Sequence, residues 1–231
     1  MVQAYTPDTP IEAYRREYLH RHAMCQALVT KYADFGPIAA EAGAVVTAID
    51  GRLADLQRAE DAHVRARALE VAAKLDVVEV YELVRAQFAV YHKGTLFAFL
   101  PASPSSLARA GVKAAEQRVS EAIANLRSLP EQDEVRKDFL PRLEQEQADL
   151  RAADLAEDDV RRAVRTVALG LTTYKSELAG LRDRQLGQVQ VIMKDRAKTE
   201  MFTLPWRKRS TNEEPEPVEP ADGPTPARPP T

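Results

Sequence analysis

Prolines constrain this chain more than any other feature. Asp34-Phe35-Gly36-Pro37 opens a span that closes at Leu100-Pro101, and Asp138-Phe139-Leu140-Pro141 opens one that closes at Leu204-Pro205. Each span covers 64 positions, 37 to 101 and 141 to 205, and neither contains an internal proline. Because an interior proline removes a helical hydrogen bond and clashes with the preceding turn, long helices belong inside such spans. The matched punctuation predicts two similar three-helix halves, residues 10–101 and 102–205. An N-terminal arm, 1–9, precedes them, and a basic exit with a tail, 206–231, follows. Outside these anchors the halves share few identities, so the internal repeat rests on punctuation rather than on repeated residues.

Composition points the same way. Ala, Leu and Val supply most of a 45% apolar content, aromatics make up only 6%, and glycines number nine, a mix that favours helices over strands. The fold class predicted is all-α, an elongated bundle of about six helices. Thr9-Pro10-Ile11-Glu12 reads as a capped start, and Ile11, Tyr14, Tyr18, His22, Cys25, Val29 and Tyr32 then fall on one face while Arg15, Arg16 and Arg21 fall mainly elsewhere. Asp34 can start a second helix with the stripe Ile38, Ala42, Val45, Ile49, Leu53 and Leu56. The stripe weakens from Glu60 to Arg67 and resumes through Leu69, Val77, Tyr81, Val84 and Phe88. One helix over the whole span would be on the order of 95 Å long, so a turn is expected, with Asp76-Val77-Val78-Glu79 as its capping box. Ser103-Pro104 starts the next helix, which ends at Leu129-Pro130. Glu131 to Lys137 reads as one exposed turn, Asp138 as a new start, and Gly170-Leu171-Thr172-Thr173 as a second turn point. The weak stripes argue against a simple two-stranded coiled coil.

Beyond Ser210 seven of the fifteen prolines fall between Pro215 and Pro230, interleaved with Glu and Thr, so this tail is expected to be disordered. Residues 211–231 carry five carboxylates against Arg228, whereas the whole chain has a net charge of −3, which leaves the body near neutral and gives no strong nucleic-acid signal. Cys25 is the single cysteine, so no intrachain disulfide forms. No apolar run reaches the roughly 18–20 residues of a membrane span, and residues 1–10 lack a signal-peptide layout. Together these predict a cytoplasmic protein.

Two Glu-x-x-His pairs, Glu17 with His20 and Glu60 with His63, have the i,i+3 spacing by which carboxylate bundles hold iron or manganese. His20 points away from the apolar face, whereas Glu60 and His63 continue the line of Ile49, Leu53 and Leu56, which makes Glu60 and His63 the metal candidates. Glu79 and Glu82 are the available further carboxylates, while the matching positions of the second half are Val164 and Val167. His22 reads as a semi-buried histidine and Cys25 as a small hydrophobe, with His22 at i−3 as its one local activating partner. Trp206-Arg207-Lys208-Arg209 combines the only tryptophan with three basic residues, a pattern suited to a partner or an anionic surface. Glycine-rich phosphate loops, paired zinc cysteines and a nucleophile elbow are all missing, which removes most enzyme classes with a readable motif. The chain therefore reads as a non-enzymatic helical scaffold or adaptor without a cofactor, binding a protein partner or a second copy through its helix faces and acidic Pro-rich tail. The alternative is a metal-dependent, ferritin-like oxidoreductase using Glu60 and His63.

Overall fold

A computed structural model describes residues 5, 6, 8–92 and 94–204. Its described residues are all-helical, with no strand. The helices are α1 (Ile11–Leu28), α2 (Phe35–Tyr91), α3 (Leu96–Phe99), α4 (Pro104–Arg109), α5 (Val112–Arg127), α6 (Glu134–Met193) and α7 (Arg196–Glu200). None of them is long and apolar enough to cross a membrane. The expected tail, 206–231, lies outside the described residues.

The molecule is built on α2 and α6, of 57 and 60 residues, which at 1.5 Å per residue are about 85 and 90 Å long. They run antiparallel along each other. Arg184 pairs with Glu41, His63 with Glu157, and the His92 ring lies 2.8 Å from Asp133, so α6 numbers fall as α2 numbers rise. The expected turn at Asp76 is not made, because Asp76 is an exposed residue inside α2 between the packed residues of a continuous helix. Gly170 likewise lies inside α6. The length objection fails because each helix finds a partner along its whole run. A local capping signal or a single glycine, costing about 1 kcal/mol, does not outweigh that pairing.

Both helices present residues to each other at seven-residue steps. On α2 these are Ile49, Leu56, His63, Glu70, Val77 and Val84, and on α6 Leu150, Glu157, Val164, Leu171, Leu178 and Gln185, all buried or half-buried. The stripe that weakens in the sequence is thus continuous in space, with His63, Glu70, Glu157 and Gln185 as its polar members.

Other starts move as well. α6 begins at Glu134 rather than Asp138, because Asp133 accepts a hydrogen bond from the Arg136 amide at 3.1 Å and caps the helix. The stretch expected as an exposed turn therefore supplies a cap and the first turn of α6, and exposed Pro141 sits within the helix. Thr9 does not cap α1, since its hydroxyl accepts from the Thr6 amide at 3.0 Å. Ser103 caps α4 as expected, with Pro104 in the first turn, but that helix stops at Arg109 and α5 restarts at Val112. Lys74 Nζ satisfies two carbonyls of this break, those of Ala108 and Ala110, at 2.7 and 2.5 Å.

A third helix joins the pair at each end. α1 packs beside the α2 N-terminal part, burying Tyr14, Tyr18, Ala42, Ile49 and Leu178, and beyond it Cys25, Phe35 and Phe202 form a further cluster. At the other end α4 and α5 close over Val77, Val80, Tyr81, Val84 and Phe88 of α2 and Leu143 and Leu150 of α6.

Two glycines in these long helices respond oppositely to an added methyl group. A Cβ at Gly170 meets nothing within 4 Å, whereas one at Gly43 meets the His22 ring at 3.0 Å. That ring is held by its 2.7 Å hydrogen bond to the Ala39 carbonyl and cannot easily yield. Gly170→Ala is expected to raise the unfolding free energy by about 0.5–1 kcal/mol. Gly43→Ala is expected to lower it by about 1–3 kcal/mol through overpacking. Urea unfolding midpoints at constant m-value give both signs.

Candidate functional site

The seven-residue step also shows which face the end helices cover. On α2, Val46 and Leu53 pack under α1, while Lys74, Tyr81 and Phe88 meet the α3–α5 segment through the Ala110 and Ala102 carbonyls and the Phe99 ring. All five stand a multiple of seven apart, so α1 and α5 rest on the same face of α2. Glu60 and Arg67 occupy that face between them. On α6 the corresponding row is Gln147, which reaches Glu116 of α5, then Asp154, Arg161 and Ala168, then Lys175, which donates to the Thr9 carbonyl at 3.2 Å, and Arg182, which bonds Glu17. Between Leu53, beside the start of α1, and Val71, beside the start of α5, the pair is two helices thick over about 25 Å.

Several of the large apolar side chains exposed among the described residues lie in or beside this waist, while others, Val90, Phe97, Val191 and Met201 among them, lie toward the ends. Val64, Leu69, Val71, Leu75, Leu155 and Leu169 are 46–68% exposed, around a stretch where buried apolar side chains are few. Inside it lies a polar set. His63 Nε2 and Glu157 Oε1 are 2.8 Å apart, and Arg161 donates to the same carboxylate through Nε at 3.2 Å and also through a terminal nitrogen. Arg67 donates to buried Glu70 at 2.7 Å. Burial on its own would raise the Glu157 pKa, but the hydrogen bonds from His63 and Arg161 outweigh it and hold the carboxyl below its usual range. The carboxylate is covered by the two side chains that bond it more than by depth.

The sequence-predicted metal residues are therefore placed apart in role. Glu60 is exposed on α2, while His63 turns into the helix pair and takes its carboxylate from α6, 94 positions away. Among the described residues no group of three or more His, Cys, Asp or Glu side chains is arranged to hold a metal ion. Glu79 and Glu82 lie further along α2, and the basic residues Arg207, Lys208 and Arg209 with Trp206 fall outside the described residues.

Glu17 and His20 also separate. His20 Nε2 lies 2.8 Å from the Met201 carbonyl. Glu17 is fully buried and bonds Arg21 on its own helix and Arg182 Nε on α6 at 2.6 Å, and Arg21 continues to Gln185 at 3.0 Å. Arg21 is thus inside the fold and not on the solvent face expected for it. Burial pushes the Cys25 thiol up to about 11, with nearby Arg21 opposing, so it is a neutral thiol at pH 7 and not a nucleophile.

Glu157 and Arg161, and Arg67 and Glu70, were the residues that sequence reasoning passed over. Their i,i+4 and i,i+3 spacing was visible, but it is shared with many exposed pairs such as Arg162 with Asp159. Compared with protein-family models, curated proteins and solved structures, the chain matches none.

Two predictions follow from these buried charges. Glu17→Ala removes the carboxylate that two buried guanidiniums share and is expected to cost about 3–5 kcal/mol in chemical unfolding. Glu157 has a folded pKa below its unfolded value, so its stabilisation is full above the usual 4.5 and is lost as pH falls through the lower folded value. Glu157→Gln is therefore expected to be less stable than the natural chain at neutral pH, with a gap that narrows once the pH falls below 4.5. A gap that stays constant in urea unfolding across this range contradicts the assignment.

Proposed function

We propose that this protein is a non-enzymatic helical scaffold or adaptor, working in the cytoplasm, in which the α2–α6 pair acts as an antiparallel coiled-coil spacer and the waist is the contact surface. The observation that carries this reading is the placement of the exposed apolar side chains. Both ends of the pair are closed by a third helix over their own cores, while Val64, Leu69, Val71, Leu75, Leu155 and Leu169 remain uncovered where the pair stands alone. Exposed apolar side chains on a rigid helix pair offer interaction surfaces. Rigid helices presenting such residues bind without first paying to order a backbone, which favours recognition of an amphipathic helix or of a second copy.

The polar members of the waist support a structural role for this stretch. His63, Glu157, Arg161, Arg67 and Glu70 satisfy one another across and along the helices, as a spacer of defined register requires.

Replacing Leu69, Leu155 and Leu169 together by lysine tests the reading. All three are largely exposed, so thermal unfolding is expected to change by no more than about 1 kcal/mol. Self-association in sedimentation equilibrium and recovery of specific partners in quantitative affinity purification are expected to fall at least tenfold. Full retention of both, or no association by the natural chain, rejects the waist as a contact surface.

A further inference from the structure

At the α5 end of the waist lies a hollow of about 500 Å³ whose charged lining is Arg67, Lys74, Lys113, Glu70 and Asp154. Its balance is positive. Glu70 is already engaged by Arg67 at 2.7 Å. Lys74 Nζ is held by the Ala108 and Ala110 carbonyls, which orient its charge without a carboxylate partner. Lys113 is exposed in the first turn of α5. That helix begins at Gly111 with no side-chain cap and no acidic residue in its first turn, so the positive end of a 16-residue helix adds to the same hollow. The site as built calls for carboxylates.

The described chain ends beside the α6 row that leads to this hollow. The Leu204 carbonyl accepts a hydrogen bond from the Tyr5 hydroxyl at 3.3 Å, and the Tyr5 ring lies 4.5 Å from the Arg182 guanidinium. Leu204 is therefore beside Arg182, in the α6 row that continues through Lys175, Ala168 and Arg161 to Asp154 in the hollow. Arg182 to Asp154 is 28 positions of helix, about 40 Å. Glu216 and Glu219 lie 12 and 15 residues beyond Leu204, and at about 3.1–3.4 Å per extended residue they reach about 37–50 Å. Pro215, Pro217 and Pro220 in this run favour such an extended path. Length, starting point and charge agree.

We propose that the segment of the same chain that leads to residue 219 lies along the waist and seats the carboxylates of Glu216 and Glu219 in the hollow at the start of α5. The acidic tail thereby covers the face left open between α1 and α5. This contact needs no partner and stands whether or not the waist also receives one.

Zero-length carbodiimide cross-linking of the full chain, mixed from natural-abundance and nitrogen-15 preparations, tests it by mass spectrometry. Lys113 or Lys74 is expected to join Glu216 or Glu219 within single chains, with yield falling several-fold at about 0.5 M salt. Tail carboxylates that join neither lysine overturn the proposal. Links found only between chains of different isotope overturn it in favour of a second copy as the occupant. A second readout uses the full chain with Glu216 and Glu219 changed to glutamine, outside the described helices. Hydrogen exchange at the Val112, Lys113 and Ala114 amides is expected to be at least fivefold faster in that variant, and equal rates overturn the proposal. Partner capture through Leu69, Leu155 and Leu169 reports on the adaptor reading separately.

Discussion

The lengthwise pairing of α2 with α6 is the interaction on which the rest of the structure depends. A helix of 57 residues has no small domain to wrap around, and neither long helix presents a continuous apolar stripe. Against each other they bury one row at seven-residue steps over nearly their full length. Register is then a question of which polar residues meet. Sliding α6 by one step would bring Glu157 level with Glu70 or with Leu56 instead of His63. The first puts two buried carboxylates together and the second removes the cross-helix partner of Glu157 and sets its carboxylate against an apolar side chain, and both are destabilising. The His63–Glu157 contact thus specifies the alignment more than it adds to stability, and the end helices dock in register because the pair is already aligned.

The ends are stabilised differently. Around α5 the packing is aliphatic and aromatic, with Phe88 against Phe99 and the Tyr81 hydroxyl donating to the Ala102 carbonyl. Around α1 a buried carboxylate and two guanidiniums replace much of that apolar contact, and the Tyr18 hydroxyl donates to the Leu178 carbonyl at 2.9 Å. Such a charge set is weak as a source of stability but strong as a specifier, because any other seating of α1 would strand Glu17, Arg21 or both.

Much of the fold was legible in the sequence, and the failures share a cause. The helix-rich composition, the stop before Pro130, the Ser103 cap and the core faces of α2 from Ile38 to Ile49 and from Val77 to Phe88 are local properties, and they appear where the residues place them, whereas the long helix expected to run to Pro101 already ends at Tyr91. The lengths of α2 and α6 are not local. Asp76 and Gly170 carry reasonable turn signals worth about a kilocalorie each, and a partner helix far along the chain overrides them. The same distance hides the site. His63 reads with Glu60 along one helix, whereas its ligand in the folded chain is Glu157. Glu17 and Arg21 look like solvent-facing charges until Arg182 is brought beside them.

The waist shows why a protein would tolerate so thin a middle. If stability alone governed, α1 and α5 would be long enough to meet, and Glu60 and Arg67 would lie under a third helix as Val46 and Tyr81 do. Instead both helices begin short of the centre, leaving about 25 Å of a pair already held from its two ends. Because the flanking cores fix α2 and α6 on either side, the exposed stretch remains helical without a third helix. Whatever covers it gains apolar contact at little cost in backbone entropy. Uncovered apolar area on a rigid pair also invites indiscriminate association, which mixed surface charge and a tethered polyanionic segment both oppose. In the proposed arrangement a segment of the same chain arrives at high effective concentration but has little apolar surface of its own, so it would shield the waist and yield to a partner with better shape and apolar complement. Thinness in the middle and closed ends are therefore parts of one arrangement, with the α2–α6 pair as its rigid element and the acidic tail as its proposed cover.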